Sequence, residues 1–317
     1  MKACVFSFNP PTPDGSLANA RTAQFVADTL ALPLICGPEI ANETDLDILF
    51  LVAGVFMYCR VLPEVAKAIS TAKRVVWIQN DYTIRPPLSD GSAESPFRFA
   101  FRHRRMVGLP DVDYWSTMEA NANMTPYSAY LNWNCMAYEG ISDEQFRTNR
   151  AAMHPAFFYY GADRAGRQIY FDRYFRGQAA PLVISSFSKS MVRYAEDADV
   201  ITAFPRRSFF DSLAAYSAGL YLEDKKSHRE FTSPATRFYE MLSVGMAMFF
   251  QPEALPMLHR AGFKVGPYVV QPDGLVEALE RAPQVAIEQR AAWAGTPYLD
   301  NLRSAMHKEL ERLKEGL

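Results

Sequence analysis

The stretch Leu46–Val55 is apolar nearly throughout, with no alternation of polar and apolar positions. A strand of that kind has to be covered on both faces, as happens inside a parallel sheet flanked by helices. Its neighbours fit the same scheme. Ala3–Phe8, Leu34–Cys36, Arg74–Ile78 and Tyr114–Met118 read as further strands. Leu17–Leu32 and Leu62–Ala72 read as helices, the first with Ala20, Ala23, Phe25, Val26 and Leu30 toward a core. Strand and helix alternating at these intervals predict βαβ units in a doubly wound α/β sheet.

The alternation then restarts. Ala156–Tyr160 is an apolar strand that ends in a polar loop, followed by a helix over Gln168–Arg176 and a strand over Pro181–Ser186. Val200–Phe204, a helix over Arg207–Ala218, Leu220–Leu222, a helix over Pro234–Ser243 and Met246–Gln251 continue it. Leu275–Ala282 and Tyr298–Leu317 close the chain as helices. A chain of 317 residues exceeds what one hydrophobic core comfortably serves. We therefore expect two Rossmann-like domains, 1–150 and 151–317, joined near 138–155, with the last helix packing back on the first domain. In such a tandem a ligand belongs in the central cleft, at the carboxyl ends of the strands.

Composition narrows the function. Apolar residues at 49% and charged residues at 21% exclude wholesale disorder. A formal net charge of −2 excludes a polycation, so a nucleic-acid partner must be held by a local patch. Cys4, Cys36, Cys59 and Cys135 form no CxxC pair, which argues against a zinc site or a disulfide framework and for reduced thiols packed as small hydrophobes. The longest uncharged apolar run, Ile48 to Cys59, has about 12 residues, where a membrane span needs roughly 20. A cytoplasmic, monomeric chain without membrane association is the expectation.

Three segments could carry chemistry. In Tyr159–Arg167 a strand runs into a loop with Gly161, Gly166, Arg164 and Arg167, and a helix follows. Backbone N–H groups at such a turn, together with arginines, suit an anion; a solvated turn is the plain alternative. In Ser233–Ala247, Ser233 can cap a helix with Pro234 at its first position. Arg237 and Glu240, three apart, share one face of it, and could serve a diphosphate and a ribose or simply form a surface ion pair. Pro96–Arg105 interleaves Phe97, Phe99 and Phe101 with Arg98, Arg102, His103, Arg104 and Arg105. It suits DNA phosphates or an amphipathic element with its rings inward. His154 and His228 show no metal-ligand spacing.

A helix with Glu, then small residues and a Gly leading into an apolar strand, resembles the nucleotide-sugar site of GT-B glycosyltransferases, and within them the DNA β-glucosyltransferases of T-even phages. Trp77-Ile78-Gln79-Asn80-Asp81 with Arg85-Pro86, the Tyr160–Gly166 loop, Glu223-Asp224-Lys225 and Thr236–Gly245 carry the resemblance, in order and at comparable spacing. It implies a GT-B fold and transfer of a sugar, glucose foremost, from a UDP-sugar to the hydroxymethyl group of a 5-hydroxymethylpyrimidine in double-stranded DNA. The reaction would be an inverting displacement with Asp81 as general base. Arg164 and Arg237 match diphosphate-binding arginines, with Arg167 or Gln168 in the place of a third. Gly161 belongs to the same loop, Glu240 matches the residue holding the ribose, and Asp224 and Lys225 fall near the sugar or diphosphate. Arg85, Arg98, Arg102, Arg104 and Arg105 would face the DNA, and a divalent cation (Mg2+ or Mn2+) is compatible with the donor. Ala162-Asp163 replaces a hydroxyl residue of that family, so Asp163 has to pair with Arg164 or turn away if a diphosphate is to bind. The same fold could instead serve a small-molecule, glycan or protein acceptor, or persist as a non-catalytic nucleotide- or DNA-binding scaffold. Asp81 read without the resemblance is a strand-end turn cap beside Tyr82 and Thr83.

Overall fold

The computed structural model describes residues 1–7, 10, 19–52, 63–79, 112–117, 122, 125–140, 142–202, 209–224, 233–294 and 296–317. The chain separates into two units. One holds the chain up to Trp133 together with Asp300–Leu317, the other Asn134–Leu299.

The first unit is built on a six-stranded sheet in the order β2-β1-β3-β4-β5-β6. Its elements are β1 (Ala3–Ser7), α1 (Asn19–Leu30), β2 (Leu34–Cys36), β3 (Ile48–Val52), α2 (Pro63–Thr71), β4 (Arg74–Gln79), β5 (Val112–Ser116) and β6 (Ala129–Tyr130). Every pairing is parallel. The unbroken apolar run does what its composition requires: Ile48, Leu49, Phe50 and Leu51 are all wholly buried in the centre of the sheet. Burial of each such side chain contributes about 1.5–3 kcal/mol. The strand expected at Tyr114–Met118 begins two residues earlier, at Val112, because Arg74 reaches Asp113 in an ion pair of 2.8 Å and Val75 pairs with Val112. Cys4 and Cys135 are buried, and loss of solvent pushes each thiol up to about 12. Cys59 lies outside the described residues.

The second unit contains α3 (Asp143–Ala152), β7 (His154–Tyr160), α4 (Gln168–Phe175), β8 (Leu182–Ser186), β9 (Asp199–Thr202), α5 (Phe209–Ala214), β10 (Tyr216–Tyr221), α6 (Thr236–Ser243), β11 (Ala247–Phe250), α7 (Leu255–Arg260) and α8 (Leu275–Trp293). The sheet order is β11-β10-β7-β8-β9, again parallel at every pairing. The chain runs outward from β7 through β8 to β9, then crosses to the other side of β7 for β10 and β11. The crossovers part at the β7/β10 junction, and in such sheets the crevice beyond the carboxyl ends at that junction is where ligands bind.

Four local expectations need correcting. Asp143–Ala152, within the stretch read as a joint, is a helix capped by Ser142, whose Oγ accepts from the Gln145 amide at 3.1 Å. The helix expected over Arg207–Ala218 stops at Ala214, and β10 starts at Tyr216. Ser217, Ala218 and Gly219 are weak strand formers, yet packing decides here: a Cβ on Gly219 would stand 2.6 Å from the sulfurs of Met241 and Met246. The helix beginning at Leu275 passes through Pro283 and continues to Trp293. Leu275, Ala278, Ala282, Val285, Ala286, Gln289 and Trp293 form a buried stripe along it, and that burial outweighs the hydrogen bond the proline removes. The N-cap position of α6 is Ala235, which provides no side-chain cap, so Ser233 does not cap this helix. The last helix, α9 (Thr296–Glu315), ends on the first unit, where Arg312 donates to the Pro126 and Ser128 carbonyls at 3.0 and 2.9 Å.

Candidate functional site

Strand β7 delivers Tyr159 and Tyr160 to the β7/β10 junction and then turns at Gly161. The turn requires glycine twice over. Its φ is +151°, and a Cβ would meet Tyr159 Oη at 2.9 Å and Arg237 Nη1 at 3.0 Å. The Gly161 amide donates to the Ser185 carbonyl at 3.2 Å and its carbonyl accepts from Ser186 Oγ at 2.7 Å, so the turn is pinned to the end of β8.

Around the turn the chain gathers three arginines from two segments, Arg164 and Arg167 on the loop after β7 and Arg237 on α6. Arg167, at the entrance of α4, is buried and forms an ion pair with Glu223 Oε2. Arg237, on α6, is also buried and pairs with Glu223 Oε1. One carboxylate, placed just past the end of β10, thus serves two guanidiniums. Gln251 fixes it in place, accepting from the Glu223 amide at 3.0 Å and donating to its carbonyl at 3.2 Å. Arg237 Nη1 also donates to the Tyr160 carbonyl at 3.1 Å, and its guanidinium lies 5.6 Å from the Tyr159 ring and 5.8 Å from the Tyr221 ring. Burial pulls the Arg237 guanidinium down, but Glu223 and the tyrosines outweigh it and hold it above the ordinary arginine range. Arg167 Nε is buried without a hydrogen-bond partner among the described residues. Arg164, by contrast, is exposed and makes no ion pair among the described residues.

Arg237 and Glu240 are both buried, so the reading of them as a surface ion pair fails. Glu240 accepts from Tyr160 Oη at 2.6 Å. Asp163 neither pairs with Arg164 nor faces the turn unneutralised: Arg193 reaches it at 2.9 Å and Ser190 Oγ at 2.5 Å. Desolvation would raise this carboxyl, yet the hydrogen bonds from Ser190 and Arg193 hold it below its usual range. Asp224 lies against the loop, since a Cβ on Gly166 would come within 2.9 Å of its Cβ. His154 is exposed beside Tyr216, with ring centroids 6.3 Å apart.

The structure therefore gathers Gly161, Arg167, Glu223, Arg237 and Glu240 at one sheet junction, with Arg164 exposed on the same loop. Such a set offers directional cationic donors for an oxyanion and a carboxylate for hydroxyl groups. Sequence reasoning gave no role to Glu223, which holds two of the three arginines. Its only signal was its place in the stretch Glu223-Asp224-Lys225. Asp81, Arg85, Arg98, Arg102, Arg104, Arg105 and Lys225 lie outside the described residues. Among the described residues no group of three or more His, Cys, Asp and Glu could hold a metal ion, and no helix is long and apolar enough to cross a membrane.

No protein-family model and no curated protein matches this sequence. Solved structures do. T4 phage beta-glucosyltransferase (BGT) in complex with its UDP-glucose substrate is similar over 99% of this chain and 98% of that one, with a TM-score of 0.61 at 12% identity. T4 phage BGT in complex with UDP and Mn2+ is similar over 98% and 99%, with a TM-score of 0.58 at 12% identity. An alpha-glucosyltransferase in complex with UDP and a 13-mer DNA containing a HMU base is similar over 98% and 94%, with a TM-score of 0.54 at 12% identity. At such identities the likeness is one of fold: two parallel sheets flanked by helices, the α/β architecture of the GT-B class.

Proposed function

We propose that this chain is a UDP-sugar-dependent DNA glycosyltransferase that moves glucose from UDP-glucose to the hydroxymethyl group of a 5-hydroxymethylpyrimidine in duplex DNA. The observation that carries the reading is the Arg167–Glu223–Arg237 triad at the β7/β10 junction, beside the exposed Arg164. Two buried guanidiniums sharing one carboxylate suit the diphosphate of a donor, and Glu240 suits its ribose. The GT-B likeness to proteins that bind UDP-glucose and HMU-containing DNA supports the same choice.

In this mechanism the second unit binds the donor and the first the DNA. An Asp81 oxygen accepts the proton of the hydroxymethyl group as its oxygen attacks the anomeric carbon. The new C–O bond forms while the bond from the anomeric carbon to the β-phosphate oxygen breaks, and UDP departs with that electron pair. Arg164, Arg167 and Arg237 meet the charge that builds on the diphosphate, which lowers the barrier electrostatically. Asp224 and Lys225 serve the sugar or the diphosphate. Arg85, Arg98, Arg102, Arg104 and Arg105 bind the DNA backbone. The described residues offer no cage for Mg2+ or Mn2+, so we draw no step through a divalent ion.

Nucleoside mass spectrometry tests the proposal. Duplexes containing hydroxymethylcytosine, hydroxymethyluracil or neither are incubated with the protein, Mg2+ and a panel of UDP-sugars. A hexose mass added to one modified base establishes the reaction and names donor and acceptor. UDP binding without any gain of mass would move the acceptor to a small molecule, glycan or protein. Asp81→Asn separates the base from the scaffold: turnover should vanish while UDP affinity stays within about two-fold of the parent, since the carboxylate acts on the acceptor. An Asp81→Asn variant that turns over like the parent removes Asp81 from the mechanism.

A further inference from the structure

Tyr160 has no role in the mechanism above, yet it holds both side chains that α6 offers to the donor. Its carbonyl accepts from Arg237 Nη1 at 3.1 Å, and its hydroxyl donates to Glu240 Oε2 at 2.6 Å. The two α6 residues are one helical turn apart, and one strand-end residue bonds to both. A separation of 2.6 Å is characteristic of a hydroxyl donating to an ionised carboxylate. Burial, and then the charge of Glu240, push the Tyr160 phenol well above its ordinary value, so it remains the proton donor in this pair. Glu240 is itself buried, with 4% of its surface exposed. A buried carboxylate costs free energy unless hydrogen bonds satisfy it, and a carboxylate can accept about four. Tyr160 supplies one of these.

We infer that Tyr160 is a positioning residue that presents Glu240 to the ribose 2′-hydroxyl, making the site selective for ribonucleoside over 2′-deoxyribonucleoside diphosphate sugars. The inference rests on the proposed donor reading and adds a specificity to it. A site built to hydrogen-bond a hydroxyl discriminates strongly against the analogue that lacks it, because the buried partner is left unsatisfied. A flexible, unanchored carboxylate would discriminate far less, since it could turn toward water or protonate.

The test is titration calorimetry with UDP and 2′-deoxy-UDP on the parent, Tyr160→Phe and Glu240→Gln, each first checked for folding by circular dichroism. The parent should bind UDP on the order of 10- to 100-fold more tightly than 2′-deoxy-UDP, as loss of one charged hydrogen bond predicts. Tyr160→Phe should reduce that ratio to about three-fold or less, and Glu240→Gln should do the same by removing the charge. In turnover, Tyr160→Phe should raise KM for UDP-glucose more than it changes kcat. A Tyr160→Phe protein that keeps the full 2′-hydroxyl preference overturns the inference. So does a parent that binds both nucleotides equally, and either result leaves the donor reading standing. A parent that binds neither nucleotide overturns both.

Discussion

Replacing Glu223 with Gln removes one carboxylate and strands two guanidiniums, so its effect should be large and specific. Glu223 has 3% of its side chain exposed, and its partners Arg167 and Arg237 have 4% and 9%. The change nearly conserves volume, and the Gln251 amide still clamps the backbone at this position. What disappears is the charge. Breaking a buried ion pair from one side typically costs about 3–5 kcal/mol, because the remaining charge stays desolvated and unpaired. With two cations affected we expect the upper part of that range. In a domain of this size each kcal/mol lowers Tm by about 2–4 °C, so the unfolding transition of the second unit should fall by roughly 8–20 °C in scanning calorimetry. The same experiment with UDP carries the functional content. A bound diphosphate brings negative charge to the stranded guanidiniums, so saturating UDP should raise the Tm of Glu223→Gln more than that of the parent. A deficit under about 1 kcal/mol, typical of an exposed pair, would refute the buried-triad reasoning. Equal UDP stabilisation of both proteins would falsify the placement of the diphosphate at these arginines.

Three other predictions are independent of that one. Gly161→Ala places a methyl group 2.9 Å from Tyr159 Oη and 3.0 Å from Arg237 Nη1 at a φ of +151°; thermal unfolding should show a loss of about 1–3 kcal/mol, and calorimetry weaker UDP binding. Asp163 is held below its ordinary pKa, with desolvation outweighed by Ser190 and Arg193. Its stabilisation is therefore present above the unfolded carboxyl range and lost as pH falls through the folded value. Urea unfolding should find Asp163→Asn less stable than the parent at pH 7, with the difference shrinking as pH falls below the ordinary carboxyl range. Changing Arg98, Arg102, Arg104 and Arg105 together to Gln should weaken DNA binding. It should flatten the slope of log affinity against log salt by up to about 0.9 for each phosphate the protein no longer neutralises. An unchanged slope assigns that segment to the amphipathic alternative.

How far the fold could be read in advance follows from which interactions are local. Ile48–Val52 is apolar because it is buried on both faces, and that requirement is written in adjacent residues. The same holds for β7 and for the amphipathic face of α1. Where reading failed, distant residues decided. Gly219 carries no side chain in mid-strand because Met241 and Met246 occupy the space above it. Pro283 sits inside a helix because the stripe from Ala282 to Trp293 is buried. The first lies outside any window of a dozen residues, and the second depends on a burial that such a window does not show.

The candidate site divides along the same line, and the division says what kind of site it is. Gly161, Arg237 and Glu240 were legible because a turn glycine and a one-turn helical pair have local signatures. The pairing that organises them was not, because Arg167, Glu223 and Arg237 come from a helix entrance, a strand exit and a second helix. Only the crossover at the β7/β10 junction brings them together. Asp163 shows the same effect in reverse. Its sequence neighbour Arg164 looked like its partner, but Arg193, 30 residues on, takes that place. Arg164 is thereby left exposed on the loop, while Arg167 and Arg237 are locked in the buried layer by Glu223. One exposed arginine beside two fixed ones is an arrangement that can engage a diphosphate as it arrives without rebuilding the buried layer. It therefore predicts an asymmetry: Arg164→Ala should weaken UDP binding while leaving stability within about 0.5 kcal/mol of the parent, as for other exposed residues, whereas Arg237→Ala should lower both. Equal losses of stability in the two variants would mean that Arg164 belongs to the buried layer and that the division drawn here is wrong.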